Sequence, residues 1–263
     1  CVEVASMLPD ESIDYSIYSP PFASLFTYSD SERDMGNVES DEEFFNQYRF
    51  LVKEQFRLHK PGRLISVHCM NLPSTISNDG YIGIRDFRGD IIRTFLGEGF
   101  IYHSEVCIWK NPVVAMQRTK ALGLLHKQIK KDSAMSRQGI PDYVCTFRKP
   151  GKNADPITGE FDKFIGDQQT FENTGNLSID VWQRYASPVW MDIDQSRTLN
   201  GRLGRDDSDT RHICPLQLDV IERCLELWSK PNDVVMSPFL GVGSEGVVSI
   251  DAGRRFIGVE LKD

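Results

Sequence analysis

The sequence predicts an α/β fold built on a mostly parallel sheet. Three observations point to it. Apolar, strand-like runs alternate with segments of helical periodicity, the pattern of strand and crossover helix. Near the end of the chain a strand, a glycine-rich loop, a helix and another strand follow one another, as in nucleotide-binding sheets. The length of 263 residues, 40% of them hydrophobic and 26% charged, suffices for one large domain of this class.

Val2–Leu8 is short and apolar, and Pro9-Asp10-Glu11-Ser12 makes a turn. Ile13–Tyr18 is the first strand. Ser40–Leu58 is a helix, with Phe44, Phe45, Tyr48, Leu51, Val52 and Phe56 on one face, Ser40 as N-cap and acids in the first turn. Pro61-Gly62 stops it. Leu64–Met70 reads as a buried strand, Arg85–Gly97 as a second amphipathic helix, Ile101–Trp109 and Asp142–Phe147 as further strands. Residues 148–211 break the rhythm. Gly, Asp, Asn and Thr dominate there, and the stretch reads as a long irregular insertion. Regularity returns with a helix over Leu216–Trp228, a strand at Val234–Met236, a helix over Gly246–Asp251 ended by Gly253, and a last strand at Phe256–Glu260.

No apolar run approaches membrane-spanning length, and no signal peptide opens the chain. The six cysteines are scattered without a C-x-x-C pair, which favours reduced, buried thiols and argues against a zinc site. His68, His103 and His126 have no visible partner set, so core or loop roles are expected of them. The chain starts without Met and ends just after a strand, so both ends are expected to be cut from a longer sequence.

Gly241, Gly243 and Gly246 satisfy G-x-G-x-x-G directly after a strand. Glycines here permit a tight turn and let backbone approach a ligand. Glu260, at the end of the next strand, can accept hydrogen bonds from two ribose hydroxyls. The unit suits a nucleoside-containing cofactor and does not separate a dinucleotide from S-adenosylmethionine. A dinucleotide domain begins with such a unit, whereas here it lies at the far end of the chain.

The strand Ile13–Tyr18 ends in Ser19-Pro20-Pro21-Phe22. Two prolines remove two donors and fix two φ angles. Such a stretch can serve amino-group chemistry. The lone pair of a base's exocyclic nitrogen is conjugated into the ring. A serine oxygen and a rigid proline carbonyl, each accepting one N–H, would localise it, and the aromatic would stack on the base. A base in duplex DNA must leave the helix to reach such a clamp.

These two motifs in this order resemble the amino-directed DNA methyltransferases, the N-4/N-6 DNA methylase family, in the permuted arrangement where the catalytic motif precedes the cofactor motif. SPPF (19–22) resembles the catalytic (Ser/Asp/Asn)-Pro-Pro-(Tyr/Phe). SPFLGVGSEG (237–246) resembles the cofactor loop, GVELKD (258–263) the ribose-binding strand, and RHICPLQLDVIERCLELW (211–228) the helix before that loop. The likeness covers almost the whole chain except about 150–185. It implies a Rossmann-like S-adenosylmethionine-dependent methyltransferase sheet, circularly permuted, with a loop-rich insertion. The chain would be one domain: a catalytic half 1–147, an irregular target-recognition region about 110–211, and a cofactor half 212–263. It implies catalytic roles for Ser19, Pro20, Pro21 and Phe22, and cofactor contacts from Ser237, Pro238, Phe239, Gly241, Gly243, Ser244 and Glu260, with no metal. Within the family a leading Ser leans toward cytosine N4 and a leading Asp toward adenine N6. Two departures stand out: Ser237 where the family has Asp, and ICPLQ where it has a Gln-Lys pair. The family's Gly-Asp, whose Asp lies near the cofactor adenine, would fall just before Cys1, so the adenine pocket is expected to be incomplete here.

Residues 110–137 carry Lys110, Arg118, Lys120, Lys127, Lys130, Lys131 and Arg137 against one acid, Asp132, in a chain of net charge −8. That segregation suits a phosphate-facing segment, and double-stranded DNA is the partner expected there. Trp182, Tyr185 and Trp190 could stack on bases or pack the insertion onto the core, and packing is the expectation. A carbon-5 cytosine mechanism needs a nucleophilic Cys, typically after Pro, and no Pro-Cys dipeptide occurs. A nicotinamide oxidoreductase and a non-catalytic DNA-binding module are the alternatives from other classes. A cytoplasmic setting, in a bacterium or an infected cell, goes with the resemblance. Oligomeric state is open between monomer and homodimer.

Overall fold

The computed structural model describes residues 1–23, 34–119, 124, 126–158, 179–199 and 215–261. At the centre of the sheet, β1 (Ile13–Tyr18) pairs in parallel with β2 (His59–Met70) on one side and β8 (Val234–Ser237) on the other. Beyond β8 lies β9 (Arg255–Gly258), again parallel. Beyond β2 come β6 (Asp142–Arg148), β5 (Ile101–Ile108) and the edge strand β7 (Val189–Trp190). β6 is antiparallel to both its neighbours, and β5 and β7 are parallel. The order is β7-β5-β6-β2-β1-β8-β9, with β6 alone running against the rest. A small hairpin of β3 (Leu72–Ser74) and β4 (Gly83–Arg85) follows the end of β2.

Helices cover both faces. They are α1 (Val2–Met7), α2 (Asp41–Leu58), α3 (Ile76–Asp79), α4 (Phe87–Gly97), α5 (Pro112–Thr119), α6 (His126–Ile129), α7 (Ile179–Tyr185), α8 (Leu218–Trp228) and α9 (Ser244–Asp251). On one face Ile65, Val67 and Cys69 of β2 pack against Phe44, Tyr48 and Leu51 of α2 and Phe87, Ile91 and Phe95 of α4. On the other, Tyr15 and Ile17 of β1 pack against Val220, Ile221, Cys224 and Leu225 of α8. Each such side chain contributes about 1.5–3 kcal/mol by leaving water. A strand flanked on both faces must be apolar throughout, which is why β1 and β2 read as near-continuous runs.

Local signals place the helices. Ser40 Oγ accepts from the Glu43 N–H at 3.1 Å, and the Glu43 carboxylate accepts from the Glu39 N–H at 2.9 Å, a reciprocal cap at the start of α2. Asp86 accepts from the Gly89 N–H at 3.1 Å and starts α4.

The short apolar stretch Val2–Met7 is helical. Several boundaries differ from expectation. α4 begins at Phe87, because Arg85 belongs to β4 and Asp86 is the cap. β2 begins at His59, so Pro61 and Gly62 lie inside the strand; Gly62 takes φ +78° and donates to the Lys149 carbonyl at 3.0 Å. α9 begins at Ser244, two residues before Gly246. The insertion is also not wholly irregular: its described part contains α7 and β7, and β7 completes the sheet edge with Trp190 fully buried. Among the described residues no helix is long and apolar enough to cross a membrane.

Candidate active site

The carboxyl ends of β1 and β8 lie side by side, because Tyr15 pairs with Val235 and Ser16 with Met236. Ser19–Phe22 leaves the first strand and Pro238–Gly243 leaves the second, so one sheet edge gathers the two motifs. Open α/β sheets bind their ligands at that edge.

On the β1 side Pro20 is buried, and Ser19, Pro21 and Phe22 are half-buried. The Phe22 ring meets Phe87 edge-on at 6.1 Å, which fixes its orientation. Ala23 follows at φ +46°, a conformation that L-residues with a Cβ seldom adopt. Such strain gathers at functional sites.

On the β8 side Gly241 and Gly243 take φ +54° and +90°, which favour glycine, and a Cβ on either would meet open space. The loop therefore faces outward with its backbone bare. Gly246 is bare for a packing reason. A Cβ there would come within 3.1 Å of the Phe256 ring, so the missing side chain lets α9 lie close on β9. Glu260 receives the Gly241 N–H at 2.6 Å and the Leu261 N–H at 2.9 Å. Ser237 Oγ and Ser244 Oγ are buried with no hydrogen-bond partner among the described residues, at the strand end and the helix start that frame the loop. Two buried, unsatisfied hydroxyls beside bare glycines suit a polar ligand that supplies the missing partners. Phe239 is half-buried, its ring 5.7 Å from that of Tyr18 and 6.5 Å from that of Tyr48. Behind it Tyr18 Oη lies 2.8 Å from Tyr48 Oη and donates to Gln55 Oε1 at 2.8 Å. Burial raises the Tyr18 phenol, so it stays a neutral donor.

The expectation that His68 has no partner set is overturned. At the end of β2 its Nδ1 lies 3.3 Å from Ser19 Oγ, and its Nε2 lies 3.3 Å from Asp142 Oδ2. Asp142 in turn pairs with Lys110. Burial would raise the Asp142 carboxyl, but the Lys110 ammonium and His68 outweigh it and hold it below the usual carboxylate range. The sequence hid this set because its members come from four segments joined only by sheet register; Met70 faces Asp142 across β2 and β6.

The basic stretch is divided. Lys110 faces inward onto Asp142. Lys127, Lys130 and Lys131 are at the surface. Arg137 is half-buried and donates to the Gln138 carbonyl at 3.0 Å. The side chain of Arg118 and the whole of Lys120 lie outside the described residues. Trp190 and Tyr185 pack as expected, but Trp182 is 55% exposed. Among the described residues no group of three or more His, Cys, Asp or Glu could hold a metal.

The model of the N6/N4 DNA methylase family matches residues 13–263. The type II methyltransferase M1.MboII of Moraxella bovis is 24% identical, with 99% of this chain and 89% of that protein aligned. A structure described as a DNA modification methylase of Thermus thermophilus, complexed with S-adenosyl-L-methionine, has a TM-score of 0.68 at 22% identity, over 99% of this chain and 84% of that one. The PvuII DNA methyltransferase, described as cytosine-N4-specific, has a TM-score of 0.63 at 16% identity, over 99% and 79%. Two other curated relatives are longer, and the chain spans 62% and 53% of them.

Proposed function

For a chain that belongs to the N6/N4 DNA methylase family, we propose transfer of a methyl group to the exocyclic amino nitrogen of a base flipped out of duplex DNA. We favour N4 of cytosine, with N6 of adenine as the second target. The observation that carries the reading is the convergence of Ser19–Phe22 and the Ser237–Ser244 loop at adjacent strand ends, with Phe239 against Tyr18 as their shared wall.

S-adenosylmethionine, when bound, supplies an electrophilic methyl group on a sulfonium. The chain's own residues do the rest. Bare glycine backbone and the orphaned hydroxyls of Ser237 and Ser244 would hold the polar end of that ligand, and Glu260 its ribose. Glu260 accepts from the glycine loop, so the loop and a ribose would share its two oxygens. Ser19 Oγ and the Pro20 carbonyl would accept the two amino protons and hold the nitrogen's lone pair out of conjugation. Phe22, braced by Phe87, would stack on the base. The strand ends would fix the approach of base and methyl donor. The exposed lysines of 127–131 would meet phosphates. The leading Ser of SPPF, and the cytosine-N4 specificity ascribed to the PvuII enzyme, support the N4 preference. The placement of β8 and β9 beside β1, although they come last in the chain, supports the permuted arrangement.

Nucleoside mass spectrometry tests the proposal. The protein is incubated with S-adenosylmethionine and unmethylated DNA of varied sequence, and the digest is searched for N4-methylcytosine and N6-methyladenine. A methylated base that disappears with Ser19→Ala is the expected result. No methylated base under any condition would overturn it.

A further inference from the structure

We propose that His68 is a positioning residue that draws the surplus proton of the reaction away through Ser19. The inference rests on the proposed amino-group chemistry and extends it.

Joining a methyl to an amino nitrogen breaks the carbon–sulfur bond, and its electron pair stays on sulfur. The nitrogen is left with one proton too many and with the positive charge. A clamp made only of Ser19 Oγ and a proline carbonyl accepts hydrogen bonds but has nowhere to put that proton. The structure supplies a destination. Ser19 Oγ takes the proton from nitrogen as its own hydroxyl proton passes to His68 Nδ1, 3.3 Å away. The positive charge moves from nitrogen to imidazolium, and charge balances throughout.

Three features favour this role. The His68 side chain is only 8% exposed, so the proton is held in a site screened from bulk water. Asp142 Oδ2, 3.3 Å from Nε2, favours the tautomer with its proton on Nε2 and leaves the Nδ1 lone pair for Ser19. Among the described residues Nε2 makes no in-line hydrogen bond, and its attraction to the Asp142 carboxylate strengthens once the ring is protonated. The charged groups around the imidazole are Asp142 from β6 and, behind it, Lys110 from the end of β5. Lys110 keeps Asp142 ionised when His68 is neutral.

The test combines a spectroscopic and a kinetic readout. In protein labelled with 15N-histidine, Ser19→Ala should move the His68 Nδ1 resonance and Asp142→Asn the Nε2 resonance; neither needs a working enzyme. In single-turnover methylation with S-adenosylmethionine, His68→Gln should slow transfer about 10- to 100-fold. Cofactor affinity and melting temperature should stay close to wild type. If His68→Gln fails to fold, His68→Asn takes its place. A wild-type rate in the variant, or an Nδ1 resonance indifferent to Ser19→Ala, would overturn the relay alone. A wild type that methylates no base would overturn the proposed function and the relay with it.

Discussion

The Phe239 ring lies 5.7 Å from the Tyr18 ring at a tilt of 53°, so the last residue of β1 bears directly on the glycine loop after β8. Tyr18 is rigid because its hydroxyl is held by Tyr48 and Gln55. Phe239→Ala removes this wall. Because Phe239 is only half-buried, the cost should fall below the ~3–5 kcal/mol of a fully buried Phe, near 2 kcal/mol. The expected outcome is a melting temperature lower by several degrees together with S-adenosylmethionine affinity weakened about tenfold in titration calorimetry. A stability loss with unchanged affinity would remove Phe239 from the cofactor site.

Lys127, Lys130 and Lys131 are at the surface, whereas Lys110 is spent on Asp142. Replacing the first three with Ala should flatten the dependence of log K on log salt for duplex DNA by up to about 0.9 for each phosphate no longer neutralised. Cofactor affinity should not change. Fluorescence anisotropy across a salt series reads the slope; an unchanged slope would place the phosphate contacts elsewhere.

What the sequence disclosed and what it hid divide along physical lines. SPPF and the glycine loop were legible because proline, glycine and serine impose local backbone geometry that no distant partner has to supply. The capped helix at Ser40 was legible for the same reason. His68 was not, because its meaning depends on Asp142 and Ser19, and only sheet register brings these together. β7 was missed because two residues carry no periodicity; Val189 and Trp190 become a strand only by pairing with Cys107 and Ile108. The basic stretch misled at Lys110, since composition gives charge but not the side chain's direction.

Arg223 ties the insertion to helix α8. Its guanidinium lies 4.6 Å from the Tyr185 ring centre and 4.8 Å from that of Trp190, and it pairs with Asp192 through two contacts of 3.0 Å. The residue is 6% exposed, so its loss leaves cavity and unpaired carboxylate together. Arg223→Ala should cost about 3 kcal/mol, the low end for breaking a buried pair, since Asp192 is partly in water. Arg223→Lys should recover little, because an ammonium neither stacks between two rings nor pairs in a fork. Urea unfolding of both variants measures this; full rescue by lysine would show that charge alone matters.

Glu245 is buried in the first turn of α9, and burial pushes its carboxyl up to about 8. A folded-state value above the unfolded one means that the folded protein holds the proton more tightly. Stability from this group is therefore full below about pH 4.5 and is lost as pH rises toward 8. His59 works the other way: burial lowers it to about 4, so its contribution is present above about 6.5 and is lost as pH falls toward 4. The two slopes oppose one another between about pH 4.5 and 6.5 and leave Glu245 acting alone above that. Glu245→Gln keeps the side chain's volume without the titration. It should leave melting temperature nearly unchanged at about pH 4.5 and raise it by several degrees at about pH 8, because each pH unit between the unfolded and folded carboxyl values is worth about 1.4 kcal/mol. Thermal melts at the two pH values decide it, and an equal effect at both would mean that Glu245 does not titrate within this window.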